Sequence, residues 1–228
     1  MSAPGPRTAA LIPAYQAAGS VAAVVAGTRA VLEPVLVVDD GSTDDTGPRA
    51  AAAGAQVVRL EPNQGKGAAL LAGLGRLAAG GIERAVTLDA DGQHLPGEIP
   101  ALLAAADRAP DAIVVGVRRK KGLAIKRAAR FGNWVADRLM RRVAGQALPD
   151  TQSGFRVYPV AATLALGAAG RRFDFETEIL LRAARRGMPV VGVPVAVHYP
   201  PPRERVTHYR PWIDTLRIIR TVLRVLAG

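Results

Sequence analysis

The 228-residue chain is 49% apolar, long enough for one sizeable core and too short for two comfortable ones. It contains no cysteine, which excludes a disulfide framework, a thiolate zinc site and a thiol nucleophile. The net charge of +11 is unevenly spread: residues 1–100 carry 7 basic and 10 acidic side chains, residues 101–228 carry 23 and 9. Such asymmetry fits a half that handles a metal and a nucleotide joined to a half that meets phosphate groups, a membrane surface or nucleic acid, although a solvated basic surface gives the same count. Aromatic residues are only 4% of the chain and none interleaves with the basic run at 118–130, so stacking platforms for nucleic acid are missing.

The N-terminus, Met-Ser-Ala-Pro-Gly-Pro-Arg, lacks the charged region and apolar core of a secretory signal, and a cytoplasmic site of action is expected. Ala9-Ala10-Leu11-Ile12 reads as a buried strand, followed by a helix-length segment at 17–33 and a second strand, Val35-Leu36-Val37-Val38. The alternation continues through strands at 56–60, 85–88 and 112–117 and helices at 66–79 and 97–108. Strands alternating with helices predict an α/β domain with a mostly parallel, doubly wound sheet and helices on both faces.

Further along, the basic stretch Arg118-Arg119-Lys120-Lys121 leads into a helix over 125–143, then a polar loop at 150–156. A helix at 173–187 and a strand at 189–197 follow, and Pro200-Pro201-Pro202 makes a rigid break. The chain ends in an amphipathic helix over 211–226, with Ile213, Leu216, Ile219, Leu223 and Leu226 at helical spacing beside Arg217, Arg220 and Arg224. Arginine at that frequency excludes a membrane span, leaving two readings: a helix lying in the membrane interface, or one packed on its own domain. The expected division is a domain over 1–210, with a nucleotide half (1–100) and an acceptor half (101–210), and the helix over 211–228.

Ligands of doubly wound sheets bind beyond the carboxyl ends of the strands. Pro13-Ala14-Tyr15, Asp39-Asp40-Gly41-Ser42 and Asp89-Ala90-Asp91-Gly92-Gln93-His94 all lie just past strand ends. A hard divalent cation that also carries a phosphate needs one or two carboxylates and a partly open site, which Asp89 and Asp91 supply. Asp-x-Asp-Gly is also ordinary turn chemistry.

Four motifs in this order, Pro13-Ala14-Tyr15, Val37-Val38-Asp39-Asp40-Gly41-Ser42-Thr43-Asp44, Asn63-Gln64-Gly65-Lys66-Gly67 and Asp89-Ala90-Asp91-Gly92-Gln93-His94, closely resemble family 2 glycosyltransferases of GT-A type. Asp150-Thr151-Gln152-Ser153-Gly154-Phe155-Arg156 resembles the loop of polyprenyl-phosphate sugar transferases of the dolichyl-phosphate mannose or glucose type. Gly116-Val117-Arg118, Arg130-Phe131-Gly132-Asn133 and Arg203-Glu204-Arg205 fall where those enzymes carry acceptor-phosphate arginines. His208-Tyr209-Arg210-Pro211 departs from the ending of those relatives, and no transmembrane helices follow.

The resemblance implies an inverting, nucleotide-sugar-dependent enzyme. Asp89 and Asp91, with Gln93, would hold Mg2+ or Mn2+ against the diphosphate of a UDP- or GDP-sugar. Pro13, Ala14, Tyr15, Asp39, Asp40 and Lys66 would line the donor pocket, with Asp39 or Asp40 accepting hydrogen bonds from base or ribose. Asp91 and Asp150 are the catalytic candidates. Arg118, Arg130 and Arg203 would grip an acceptor phosphate, since guanidinium forks match phosphate oxygens. The implied partners are the nucleotide-sugar, a lipid-linked acceptor, the inner face of the membrane met through the basic last helix, and a membrane-embedded protein.

Two alternatives stay open. A hydroxyl acceptor would need a general base, for which Asp150 is the candidate, although a carboxylate there also serves to organise a loop. A non-catalytic membrane-surface or nucleic-acid-binding protein would keep the fold without the chemistry. A sugar nucleotidyltransferase or a nicotinamide dehydrogenase requires a glycine-rich loop after the first strand, and Pro13-Ala14-Tyr15-Gln16 is unlike either. Glu178 and Arg182 stand one helical turn apart and read as a structural pair.

Overall fold

In the computed structural model, which describes residues 5–118, 148–172, 174–198, 220–223 and 225, seven strands form one sheet. They are β1 (Thr8–Ala14), β2 (Val35–Asp39), β3 (Gln56–Arg59), β4 (Arg84–Thr87), β5 (Ile113–Arg118), β6 (Arg156–Pro159) and β7 (Val190–Val195), in the order β3-β2-β1-β4-β6-β5-β7. Every pairing is parallel except those of β6, which runs antiparallel to β4 and to β5. The carboxyl ends of β1, β2, β4 and β5 therefore share one edge with the amino end of β6. Register makes this concrete, with Ala14 opposite Asp39 and Thr87 opposite Arg156.

Alternation along the central strands fills two cores. Ala10 and Ile12 of β1 face α1 (Val21–Arg29) and α4 (Ile99–Arg108), while Ala9 and Leu11 face α3 (Lys66–Ala79) and a helix at Asp174–Arg185. Each Leu, Ile or Val side chain buried this way contributes about 1.5–3 kcal/mol, so a sheet covered on both faces holds its polar edge rigidly.

The expected strands and the helices at 17–33, 66–79, 97–108 and 173–187 all have counterparts, the third of them entered through a short 3-10 turn at Pro96–Glu98. Three elements go beyond expectation: α2 (Thr46–Ala52), β6 and α5 (Val160–Ala165), so the helix at Asp174–Arg185 is α6. The helix expected at 125–143, and with it Arg130, lies outside the described residues, as does Arg203. Of the last helix only 220–223 and 225 are described: Val222 and Val225 pack on Leu181 of α6, and Thr221 Oγ1 donates to Asp174 Oδ2 at 3.3 Å. Arg220 and Leu223 stay exposed. Among the described residues, no helix is long and apolar enough to cross a membrane.

Candidate active site

The β4 edge carries a charge network drawn from four elements. Asp89 follows β4, and its Oδ1 lies 2.5 Å from Nζ of Lys66, the first residue of α3. The same Nζ lies 2.8 Å from Oε1 of Glu176, a buried carboxylate in the first turn of α6. Burial alone would lower the Lys66 pKa, but the two carboxylates outweigh it and hold the ammonium charged, well above its ordinary value. Burial likewise works against ionised Asp89, yet Lys66, then His94 and Arg118, keep it below the usual range.

Asp91 differs from its neighbour. It is exposed, accepts Gln93 N–H at Oδ1 (2.9 Å) and Gln93 Nε2 at Oδ2 (2.8 Å), and is pushed above its ordinary value by the protein crowding part of the water from around its carboxyl and by the charge of Asp89. Gln93, expected as a further metal ligand, thus presents its amide donor to Asp91 and orients that carboxylate. Among the described residues, no three His, Cys, Asp or Glu side chains gather as a metal cage. Two carboxylates beside an open edge remain, and they fit an ion that also binds phosphate.

His94 is buried against Phe155, ring centroids 5.2 Å apart, and its Nδ1 accepts the Asp89 amide at 3.3 Å. Burial lowers its pKa, and the charges of Asp89 and Asp91 oppose that shift only in part. A main-chain bridge from His94 to Val197, and a His198 N–H donating to Gln93 O at 2.9 Å, tie this turn to the strand exit of β7. Gly154 closes the other side: a Cβ there would sit 2.6 Å from Asp89 Oδ1. His94 and Gly154 stand inside motifs legible in the sequence but without a role there, and Glu176 has none either, because each acts through a neighbour on another segment or through the absence of a side chain.

Arg118 and Asp150, expected in separate roles, meet in one fork. Nε donates to Oδ2 at 2.6 Å and Nη2 to Oδ1 at 2.8 Å. The loop beyond Asp150 is shaped by Arg156, fully buried, whose guanidinium donates to the carbonyls of Ser153, Thr151 and Glu176 and to Tyr158 Oη. Arg156 therefore joins the Asp150 loop to the turn of α6 that carries Glu176.

At the β1–β2 edge, Asp39 and Asp40 are buried and already serve the backbone. Asp39 accepts Ser42 N–H (2.9 Å) and Arg59 Nη1 (3.1 Å), and Asp40 accepts Asn63 Nδ2, Gln64 N–H and Gly65 N–H at 2.7–3.0 Å. Their direct contact with base or ribose would have to share these oxygens, and what the structure shows is loop organisation. Gln16, at φ +51°, bridges to Thr43 and Asp44 and locks the Pro13-Ala14-Tyr15 turn onto the second loop. Tyr15 lies exposed at that rim.

The profile of Glycosyl transferase family 2 matches residues 9–167. The chain belongs to this family. An uncharacterized glycosyltransferase of Mycobacterium tuberculosis is 42% identical over 176 residues, 77% of this chain and 76% of its own. The undecaprenyl-phosphate mannosyltransferase of Micrococcus luteus is 31% identical over 208 residues, 83% and 82% of the two chains. Glucosyl-3-phosphoglycerate synthase from Mycobacterium tuberculosis, solved with Mn2+, UDP and glucosyl-3-phosphoglycerate, superposes with a TM-score of 0.75 at 22% identity, covering 98% of this chain and 81% of its own. The protein is thus a nucleotide-sugar-dependent glycosyltransferase with a GT-A-type fold, and the β4 edge is the part of this glycosyltransferase where carboxylates, ammonium and guanidinium converge.

Proposed function

We propose that this glycosyltransferase is inverting and metal-dependent, and that it moves a sugar from a UDP- or GDP-linked donor to polyprenyl phosphate. The observation that carries the reading is the placement of Asp89 and Asp91 past β4, with the Arg118–Asp150 fork beside them at the end of β5. Asp89 and Asp91 would hold Mg2+ or Mn2+, and their fit rests on two carboxylates just past the end of β4, with Asp91 exposed at the open edge. Bound there, the ion would neutralise the charge growing on the departing diphosphate. The synthase noted above was crystallised with Mn2+ and with Mg2+, which supports this choice.

The acceptor follows from charge and from relatives. Both the Micrococcus luteus mannosyltransferase and a polyprenol monophosphomannose synthase of Mycolicibacterium smegmatis, 31% identical over 84% of this chain, are named for polyprenyl substrates. A phosphate oxygen is already nucleophilic and anionic, so it needs orientation opposite the leaving group rather than deprotonation. Arg118 supplies a fork for it, and Arg130 and Arg203 are the further candidates from sequence. A hydroxyl acceptor would require Asp150 as base, and a carboxylate gripped at both oxygens by a guanidinium is a poor one. The lipid would be met at a membrane surface, with Arg220 and Leu223 on the outward side of the last described stretch, or through a membrane-embedded partner.

A panel of UDP- and GDP-sugars, each assayed with polyprenyl phosphate and with plain hydroxyl acceptors, tests the reading. Transfer to the lipid phosphate with inverted anomeric configuration is expected. Transfer confined to hydroxyl acceptors, or full activity in chelator, would overturn the acceptor or the metal half respectively.

A further inference from the structure

Lys66 stands where a cation of the donor complex is needed before any donor is bound. Its Nζ sits between Asp89 Oδ1 at 2.5 Å and Glu176 Oε1 at 2.8 Å, and its side chain is only 17% exposed. The two anions are not equivalent. Glu176 is buried, on a helix turn fixed by the Arg156 guanidinium through the Glu176 carbonyl at 2.8 Å. Asp89 lies at the open edge, next to Asp91, with its side chain 26% exposed. One partner is an anchor inside the fold; the other belongs to the substrate side.

From this asymmetry we infer that Lys66 is a resident counter-ion of Asp89 that exchanges places with the donor complex, with Glu176 as the residue that keeps it positioned during the exchange. The inference rests on the metal reading above and goes beyond it. A divalent cation approaching Asp89 meets an ammonium already in contact with that carboxylate, so the metal alone competes with Lys66 and binds weakly. A nucleotide diphosphate arriving with the metal changes the balance. It adds negative charge within reach of an ammonium that Glu176 still holds, so Lys66 gives up Asp89 for a phosphate oxygen without leaving the site. No covalent bond changes in this exchange.

Metal and nucleotide therefore load together, and Lys66 couples them. The arrangement also serves the enzyme before the donor arrives, because Asp89 and Glu176 would otherwise approach the same space without a cation between them. Glu176 is in this sense a positioning residue. It touches neither metal nor nucleotide and acts only by tethering the ammonium.

The test measures Mn2+ binding by titration calorimetry, first alone and then with saturating UDP or GDP, in the full chain and in Lys66→Met and Glu176→Gln. In the unaltered enzyme the nucleotide should tighten Mn2+ binding strongly. Lys66→Met should bind Mn2+ alone roughly tenfold more tightly, as expected when a cation in contact is removed from a carboxylate. The same variant should lose most of the nucleotide-dependent tightening. Glu176→Gln should move Mn2+ alone in the opposite direction, because Lys66 then leans on Asp89 only. Melting temperatures of the three proteins report folding independently, and Glu176→Gln keeps the question open to measurement if Lys66→Met is unstable. Unchanged Mn2+ affinity in Lys66→Met, with nucleotide coupling intact, would overturn the exchange while leaving the metal site standing. Failure of the unaltered enzyme to bind Mn2+ even with nucleotide would overturn the metal reading and the exchange with it.

Discussion

The Arg118 guanidinium grips both oxygens of Asp150, Nε to Oδ2 at 2.6 Å and Nη2 to Oδ1 at 2.8 Å. That pairing decides between two mechanisms. If Asp150 were the base for a hydroxyl acceptor, its loss would cost the 10²–10⁴-fold typical of general base catalysis. If it orients Arg118 for a phosphate, Asp150→Asn should lower kcat by about tenfold or less, since an amide oxygen still accepts from the guanidinium. Arg118→Lys should instead raise the acceptor KM with donor binding unchanged, because an ammonium cannot replace the fork. Steady-state kinetics with each substrate varied in turn separate these outcomes, and collapse of donor binding in Arg118→Lys would sink the assignment.

Asp91→Asn should abolish transfer, with a loss of about 10³-fold or more, and leave the melting temperature nearly unchanged, since Asp91 is exposed and bonded only within its own turn among the contacts seen. Asp89→Asn should lose activity and stability together. It removes the charge-assisted contact of Asp89 Oδ1 with the Lys66 ammonium, in a place where little water can replace it. Circular dichroism melts alongside activity assays distinguish the two.

Arg156 supplies a purely structural test. Its guanidinium is fully buried and satisfies three carbonyls and a phenol oxygen, so Arg156→Met should destabilise the fold by about 2–4 kcal/mol through orphaned acceptors. Denaturant unfolding reads this directly. An arginine at this position gave no hint of a strand in the sequence, which is why β6 went unread: a charged residue opening a four-residue segment resembles the end of a polar loop. The seven-residue α2 was hidden for a similar reason, holding Gly47 and Pro48 within a single short helix. By contrast β1, β2, β4 and β5 were legible because they are apolar runs buried on both faces. The strand-end carboxylates followed from them. What pattern could not show is partnership: Lys66, Asp89 and Glu176 come from three elements up to 110 residues apart, and Asp39 and Asp40 look available until their loops fold over them.

Acid should loosen the first loops before the core. Burial alone would raise the Asp44 pKa, but the Thr46 hydroxyl and the amides of Ala18 and Thr46 hold it below its ordinary value. A carboxyl whose pKa is depressed by folding adds stability above its unfolded value of about 3.9, and that stability disappears as pH falls through the folded value. Asp44→Ala should therefore lower the denaturation midpoint at pH 7, and the gap to the unaltered protein should close below about pH 4. A gap independent of pH would show that the loop does not depend on the charge.

Glycines in one helix predict opposite outcomes at nearly adjacent positions. A Cβ on Gly73 would meet Leu11 Cδ1 at 2.3 Å, deep between α3 and the sheet, so Gly73→Ala forces helix and strand apart and should cost about 1–3 kcal/mol. Gly75, two residues on and facing solvent, has nothing within 4 Å of such a Cβ. Gly75→Ala should stabilise by up to about 1 kcal/mol, the difference in helix propensity between the two residues. Because α3 begins at Lys66, the pair also probes the site: Gly75→Ala should leave transfer intact, whereas Gly73→Ala should displace the helix that aims Lys66 at Asp89 and reduce kcat/KM. Equal melting temperatures for the two variants would mean that α3 does not seat against β1 as closely as Leu11 and Gly73 indicate.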